Sequence, residues 1–238
     1  LSMGVGTVTG PYNTAIGRLS LQDITSGTKN QMMGASAGEN ITTSSNNVAI
    51  GTDAMFTQTT ATGANIAIGN EAMRLNTSGS SNVAVGHLAM YANTTGYEQT
   101  AAGYRALKDN TTGFRNTAFG ADSLLLNTTG YDNSAFGKSA LQDNTTGETN
   151  TGLGNYALAN NTTADDNTAV GYQALTTNTT GTVNTAVGKD ALLVNTTGGY
   201  NVAVGHESML SNTTGITNTA LGNNALRSNT TASQNVGL

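Results

Sequence analysis

The sequence predicts an all-β protein built as a repetitive β-solenoid, a parallel β-roll with about 17 residues per coil and about 14 coils. Glycine marks the period in the pattern Asn-x-Ala-x-Gly. Eleven of the twelve intervals between these glycines equal the step from Gly17 to Gly34, and one is a single residue longer. This period is too short for a helical hairpin and too long for a heptad, but it fits one solenoid coil. The glycines are Gly17, Gly34, Gly51, Gly69, Gly86, Gly103, Gly120, Gly137, Gly154, Gly171, Gly188, Gly205 and Gly222.

The composition agrees with a thin, repetitive β structure. Charged residues make up 10% of the chain, against about 25% in a typical globular domain. Only 5% of residues are aromatic, which argues against one thick core. The net charge is −5 and the basic residues are scattered singly, so we expect no nucleic-acid partner. No apolar run approaches the ~18 residues of a membrane span, so we expect no membrane insertion. Cysteine is absent, which excludes disulfides and thiolate metal sites.

The repeats predict a single array over residues 1–238, with degenerate copies in 1–65 and regular copies in 66–238. We expect the array to continue beyond the chain end, because the last copy stops inside a unit. The longer interval places one extra residue between Thr52 and Asn65. The clearest copy, 167–183, reads NTAVGYQALTTNTTGTV. We number the positions of a coil from 1 at this first Asn, and we call the equivalent positions of successive coils a column.

Columns 1 and 5 carry the strongest structural signals. Identical Asn side chains stacked one coil apart can hydrogen-bond along the axis, so column 1 predicts a structural ladder. Glycine reaches backbone angles closed to other residues, so column 5 predicts a corner. The ladder residues are Asn116, Asn133, Asn150, Asn167, Asn184, Asn201 and Asn218. The corner glycines of the regular copies are Gly120, Gly137, Gly154, Gly171, Gly188, Gly205 and Gly222.

Columns 3 and 4 are both apolar, as in Ala169 and Val170. Neighbours on a strand point to opposite faces, so these two side chains cannot share one interior. A lone solenoid has one dry inside and one wet outside. Two apolar faces therefore predict a second buried surface, and we expect association with further copies of the chain, as a trimer or a filament.

Columns 8 and 9 form a second apolar stripe, as in Ala174 and Leu175. The sequence leaves open whether positions 6–11 form a strand or a single helical turn. Positions 12–15 read Asn-Thr-Thr-Gly, which favours a second corner. The same Asn residues would be glycosylation acceptors in a eukaryotic secretory protein, although turn chemistry explains them as well. They are Asn76, Asn93, Asn110, Asn127, Asn144, Asn161, Asn178, Asn195, Asn212 and Asn229.

Side chains with binding potential are few. Tyr97, Phe114 and Tyr131 fall in column 16 of successive coils and predict an exposed aromatic strip, which could contact sugar rings or another chain. His87 and His206 share column 6 but belong to coils far apart in the array, too distant to share a metal ion within one chain. We therefore expect no catalytic, cofactor-binding or metal residues, no cofactor and no enzymatic activity.

The unit Asn-Thr-Ala-Val-Gly-x-x-Ala at 167–174 resembles the Ser-Val-Ala-Ile-Gly-x-x-Ala head repeat of trimeric autotransporter adhesins. The longer form, extended by Asn-Thr-Thr-Gly at 178–181, resembles repeats of phage tail fibres and bacterial surface proteins. The resemblance covers about residues 13–238. It implies a left-handed parallel β-roll, trimerisation and a location outside the cell or on a virion. The adhesin unit is shorter, so the Asn-Thr-Thr-Gly corner is an addition here.

Together these patterns predict a structural protein, a fibre or fibre shaft at the cell surface, in the extracellular space or on a virion. The alternative is an adhesin segment of a tail fibre or surface protein that binds surface glycans. Ice binding is a third class. It is disfavoured because adjacent residues such as Thr179 and Thr180 would point apart on a strand.

Overall fold

The computed structural model describes residues 10–59 and 63–238. The chain forms two compact units, Leu1–Asn116 and Thr117–Leu238. In each unit every coil contributes one short parallel strand from columns 2–4, and the strands pair in sequence order. The first unit contains β1 (Thr14–Ile16), β2 (Gln31–Met33), β3 (Val48–Ile50), β4 (Ile66–Ile68), β5 (Val83–Val85) and β6 (Thr100–Ala102). The second contains β7 (Thr117–Phe119), β8 (Ser134–Phe136), β9 (Thr151–Leu153), β10 (Thr168–Val170), β11 (Thr185–Val187), β12 (Val202–Val204), β13 (Thr219–Leu221) and β14 (Val236–Gly237).

The register of the strands follows the sequence period. Ala169 of β10 pairs with Ala186 of β11, one full repeat later. Between β3 and β4 the step is a single residue longer, since Ala49 pairs with Ala67. The period places the extra residue among residues 60–62, which lie outside the described part of the chain. The predicted β-solenoid, with about 17 residues per coil, is confirmed.

The strands bury one column and expose the two beside it. In β10 the Ala169 side chain is fully buried, while Thr168 and Val170 on either side remain partly exposed. Columns 3 and 4 therefore face opposite ways, as strand geometry predicts. In most coils the interior holds only the methyl group of an Ala at column 3. Columns 2 and 4 together form a surface that faces away from the core.

Positions 6–11 are neither a strand nor a helical turn, and the described residues contain no helix. Gln173 in column 7 and Leu175 in column 9 have positive φ angles of 56° and 55°. This alternation lets the consecutive residues Ala174 and Leu175 both point inward, which a strand forbids. The backbone remains paired between coils, because Leu175 N–H donates to the Ala191 carbonyl at 2.9 Å.

The degenerate coils of the first unit preserve the interior by exchanging volume between columns. Met32 fills column 3 where other coils have Ala, and Gly38 replaces the Leu or Met of column 9 in the same coil. A Cβ on Gly38 would lie 3.0 Å from both Met32 Sδ and Ile41 Cδ1. Cores tolerate swaps that keep the total volume. The small Gly38 therefore makes room for the large Met32, and the volume of the interior is kept.

Column 17 offers a stabilising substitution. Val183 is 41% exposed and has a φ of 58°, a region that strongly disfavours β-branched side chains. Asn tolerates this region, and Asn46 occupies the same column with a φ of 62°. We expect Val183→Asn to raise the free energy of unfolding by about 1 kcal/mol, measured by thermal or urea denaturation. The control is Val202→Asn, a 37% exposed Val within β12, which should give no gain.

Candidate functional site

The most extensive unpartnered feature of each unit is the surface formed by columns 2 and 4, which we call the outer sheet face. In the described part of the chain neither column contains a charged residue, although the net charge of the protein is −5. Large apolar side chains of column 4 are 36–53% exposed in both units. In the first unit they are Ile16, Met33, Ile50, Ile68 and Val85; in the second they are Phe119, Phe136, Leu153, Val204 and Leu221.

The outer sheet face is regular at the level of single side chains. In the second unit the rings of Phe119 and Phe136 stack at 5.3 Å between centroids, with planes only 5° apart. This separation is close to the spacing of neighbouring strands, about 4.8 Å. In the first unit, Ile16, Met33 and Ile50 line a shallow hollow of about 90 Å³. Column 4 is therefore a ladder of apolar rungs, and the hollow in the first unit has room for side chains from a partner.

The column 1 Asn residues form a buried ladder. Asn150 Nδ2 donates to Asn133 Oδ1 at 3.2 Å, and the Asn150 backbone N–H donates to the same oxygen at 3.0 Å. Asn184 repeats both contacts with Asn167, at 3.2 and 2.9 Å. Gln99 is the one column 1 residue between Asn13 and Asn235 that is not Asn. Asn116 Nδ2 donates to its Oε1 at 3.3 Å, so this Gln takes the place of Asn in the ladder of the first unit. These amides fill their hydrogen-bonding capacity within the protein and serve the fold.

Column 12, which the sequence predicted only as part of a turn, forms a second ladder. Asn178 Nδ2 donates to Asn161 Oδ1 at 3.1 Å, and Asn195 Nδ2 donates to Asn178 Oδ1 at 2.9 Å. Asn178 Nδ2 also donates to the Gly181 carbonyl at 2.9 Å, the same oxygen that accepts from Asn167 Nδ2. The two ladders therefore meet at the column 15 carbonyl of each coil.

The second ladder argues against the glycosylation sites considered from the sequence. Glycosylation would need a solvent-accessible Asn Nδ2, but nine of the ten are fully buried: Asn76, Asn93, Asn110, Asn127, Asn144, Asn161, Asn178, Asn195 and Asn212. Asn229 is part-buried and donates to Asn212 Oδ1 at 3.0 Å. Thr179 of the same motif also serves the fold, because its Oγ1 donates to the Thr196 carbonyl at 3.1 Å. Turn and ladder chemistry explains the Asn-Thr-Thr-Gly motif.

The corner glycines of the second unit have backbone angles that L side chains rarely adopt, and at all of them except Gly222 an added Cβ would also overlap the next corner. Their φ angles run from 128° to 139° in the second unit. A Cβ on Gly137 would lie 2.6 Å from the Gly154 carbonyl, and a Cβ on Gly171 would lie 2.5 Å from the Gly188 oxygen. Successive corners thus pack backbone against backbone. The members are Gly120, Gly137, Gly154, Gly171, Gly188, Gly205 and Gly222.

The aromatic strip is divided between the two units. In the first, Tyr97 and Phe114 stack at 5.0 Å between centroids, with planes 3° apart. The Arg115 guanidinium lies 4.6 Å from the Phe114 centroid. These rings therefore cover each other's faces, where a sugar ring would have to stack. In the second unit, a hydrogen bond to Glu148 raises the pKa of the Tyr131 hydroxyl above its usual value.

The two histidines occupy different surroundings. His87 Nδ1 lies 3.2 Å from the Asn70 carbonyl, and its ring stacks on Tyr104 at 5.7 Å. His206 lies beside the carboxylates of Asp190 and Glu207. We call these three residues the carboxylate–imidazole cluster. This cluster was not predicted from the sequence, because titratable residues were compared only within one column. Column 7 of one coil lies beside columns 6 and 7 of the next coil. The spacing Asp-(x15)-His-Glu in the sequence therefore indicates that the three side chains lie close together.

No known protein-family model matches this chain, and no curated protein matches it either. In the described ranges, 10–59 and 63–238, there is no helix that could cross a membrane.

Proposed function

We propose that this chain is a segment of an extracellular structural fibre, in which copies of the chain associate through the outer sheet face. The observation that carries the proposal is the uncharged, regular character of columns 2 and 4, with large exposed apolar side chains along column 4. Contiguous apolar patches of this kind mark interaction surfaces in soluble proteins. The proposed role is mechanical: the stacked coils give rigidity and reach.

A second copy of the same chain is the partner that fits this face best. Rungs about 4.8 Å apart fit another surface only if that surface has the same spacing. An identical β-solenoid has this spacing because its coils are the same. Two such sheets pack face to face at about 10 Å, with side chains from one filling gaps in the other. The hollow at Ile16, Met33 and Ile50 could receive such side chains. Neither sheet would bring a charge into the contact.

Charge placed on the outer sheet face tests the proposal. Val204 and Leu221 are 36% and 44% exposed, so Lys at both positions would be solvated in a single copy but buried in an assembly. A buried unpaired charge is strongly unfavourable. We expect Val204→Lys/Leu221→Lys to leave the fold intact and to reduce the assembly to single chains. Light scattering after size-exclusion chromatography measures the mass, and electron micrographs of the wild type should show rods or filaments.

A matched control places the same two charges elsewhere. Thr180 and Thr197 are exposed at column 14 of neighbouring coils, away from the outer sheet face. Thr180→Lys/Thr197→Lys should assemble like the wild type. A wild-type protein that runs as a single chain at high concentration and gives compact particles in micrographs would contradict the fibre.

The alternative is an adhesin segment that grips glycans, favoured by the exposed Tyr97 beside Phe114. Tyr97 is 38% exposed, yet one face of its ring is already occupied by Phe114. Aromatic side chains bind sugars through an open ring face. The Tyr97–Phe114 stack therefore offers less ring surface to a sugar than three separate rings would. Binding on a glycan array that is lost in Tyr97→Ala would favour the adhesin. An array without signal would count against it.

A further inference from the structure

We propose that the second unit binds one divalent transition-metal ion, best matched by Zn²⁺, at the carboxylate–imidazole cluster of Asp190, His206 and Glu207. One potential ligand atom from each of the three residues lies within 4.8 Å of the other two. An imidazole nitrogen with two carboxylate oxygens is a donor set that zinc accepts, leaving a fourth position for water. The proposal concerns a site separate from the outer sheet face.

The coil geometry fixes the cluster through the backbone. Glu207 N–H donates to the Lys189 carbonyl at 3.0 Å, which places column 7 of one coil beside column 6 of the coil before. Asp190 N–H is held in the same way by the Tyr172 carbonyl, also at 3.0 Å. Both residues that carry carboxylates are therefore anchored by inter-coil hydrogen bonds. The site depends on ordered coils and not on a loose loop.

Asp190 provides the second, independent indication of a ligand. The residue is only 8% exposed, and its Oδ1 is buried without any hydrogen-bond partner. Its other oxygen, Oδ2, is paired with Lys189 Nζ at 2.6 Å. A buried carboxylate oxygen without a partner is costly, so such an atom calls for an explanation. A bound cation would satisfy it.

The His206 ring is oriented as metal-binding imidazoles usually are. Its Nδ1 lies 3.2 Å from Asn223 Oδ1, an acceptor, and this contact favours the tautomer that carries the proton on Nδ1. In that tautomer the lone pair is on Nε2, which lies 3.9 Å from Glu207 Oε1. A ligating His ordinarily donates its other ring N–H to a protein oxygen in this manner. Zinc bonds of about 2.0–2.2 Å place ligand atoms roughly 3.4 Å apart, and the exposed His206 can turn to close that gap.

Two cations frame the cluster without filling it. Arg227 Nε holds Glu207 Oε2 at 2.6 Å, and this hydrogen bond lowers the pKa of Glu207. Lys189 holds Asp190 Oδ2 and is itself 54% exposed along its side chain. One oxygen of each carboxylate therefore remains for a metal ion. Lys189 competes with the metal ion for the Asp190 carboxylate, so the Lys189→Ala variant should bind the metal more tightly. Ala is compatible with this position, since Ala121 occupies the same column in another coil.

The first unit supplies an internal comparison. His87 corresponds to His206, and Glu71 in column 7 of the coil before corresponds to Asp190. The residue after His87 is Leu88, whereas the residue after His206 is Glu207. The His87 Nδ1 already lies against the Asn70 carbonyl. Two potential ligands with an apolar third position do not make a zinc site. We therefore expect one metal equivalent per chain.

The test is zinc titration of the tag-free full chain by calorimetry, with Co²⁺ absorption as a spectroscopic probe of the ligand geometry. The wild type should bind one equivalent, and both His206→Gln and Asp190→Asn should weaken binding more than about tenfold. His87→Gln, the matched control, should bind as the wild type does. His206 is exposed, so its replacement should leave the circular dichroism unchanged. A wild type without saturable zinc binding, or a His206→Gln variant with wild-type affinity, would overturn the proposal.

Discussion

Replacing Gly154 by Ala is expected to lower the free energy of unfolding of the second unit by about 3–5 kcal/mol. Two independent costs add. The φ angle of Gly154 is 139°, which an L residue with a Cβ rarely adopts. The new Cβ would also overlap the Gly171 carbonyl group, lying 2.7 Å from its carbon. The obstacle is the backbone of Gly171, so no side-chain rotation relieves it. Chemical denaturation and hydrogen exchange of the peptides around residues 154 and 171 measure the loss.

The control for this substitution lies two residues away. Gly152 is in column 3 of β9, where most coils have Ala. A Cβ there would lie 3.5 Å from Leu141 Cγ, in ordinary contact, and 3.2 Å from the Ala157 carbonyl oxygen. Removing a Gly from a strand gains about 0.5–1 kcal/mol. We expect Gly152→Ala to be neutral or stabilising. Equal losses in the two variants would mean that column 5 has no special backbone requirement.

The second large effect is expected for Asn178→Ala, at about 3–4 kcal/mol of destabilisation. The variant removes the donor to Asn161 Oδ1, the donor to the Gly181 carbonyl and the acceptor for Asn195 Nδ2. All of these groups are buried, and water cannot replace the lost partners without opening the coil. Denaturation should show the loss, and hydrogen exchange should rise in the coils on both sides.

A matched Asn→Ala change separates the ladder from the general effect of losing an amide. Asn160 lies in column 11 of the coil before Asn178 and is exposed. Asn160→Ala should change the free energy of unfolding by less than about 0.5 kcal/mol. If Asn178→Ala proved as mild as Asn160→Ala, the column 12 ladder would have to be considered unimportant for stability.

The coil and its interior could be predicted from the sequence because they depend on a strict period. Ala169 and Leu175 recur at fixed places, and apolar residues in a fixed column must share one environment. The corner glycines were equally visible, since Gly was the only residue type found in column 5. The direction of columns 3 and 4 followed from strand geometry alone.

The conformation of positions 6–11 could not be predicted from the same information. Gln173 and Leu175 are ordinary helix formers, and nothing in their chemistry signals a positive φ. Pairing with adjacent coils overrides local preference there. The second Asn ladder was missed for a related reason: Asn178 has a sufficient local explanation as a turn former. The carboxylate–imidazole cluster required comparison of adjacent columns in neighbouring coils.

Pairing between like columns has a consequence for how such a chain can change its length. Ala169 faces Ala186 across the rung, and Asn178 likewise faces Asn195. Excising one whole repeat joins ends whose partners are chemically equivalent to those removed. Losing a single codon instead strains the coil in which it occurs, because that coil must restore the register in a turn, as the longer step between Ala49 and Ala67 does. Unequal recombination within the gene can therefore shorten or extend the protein in steps of one repeat without redesigning its interior.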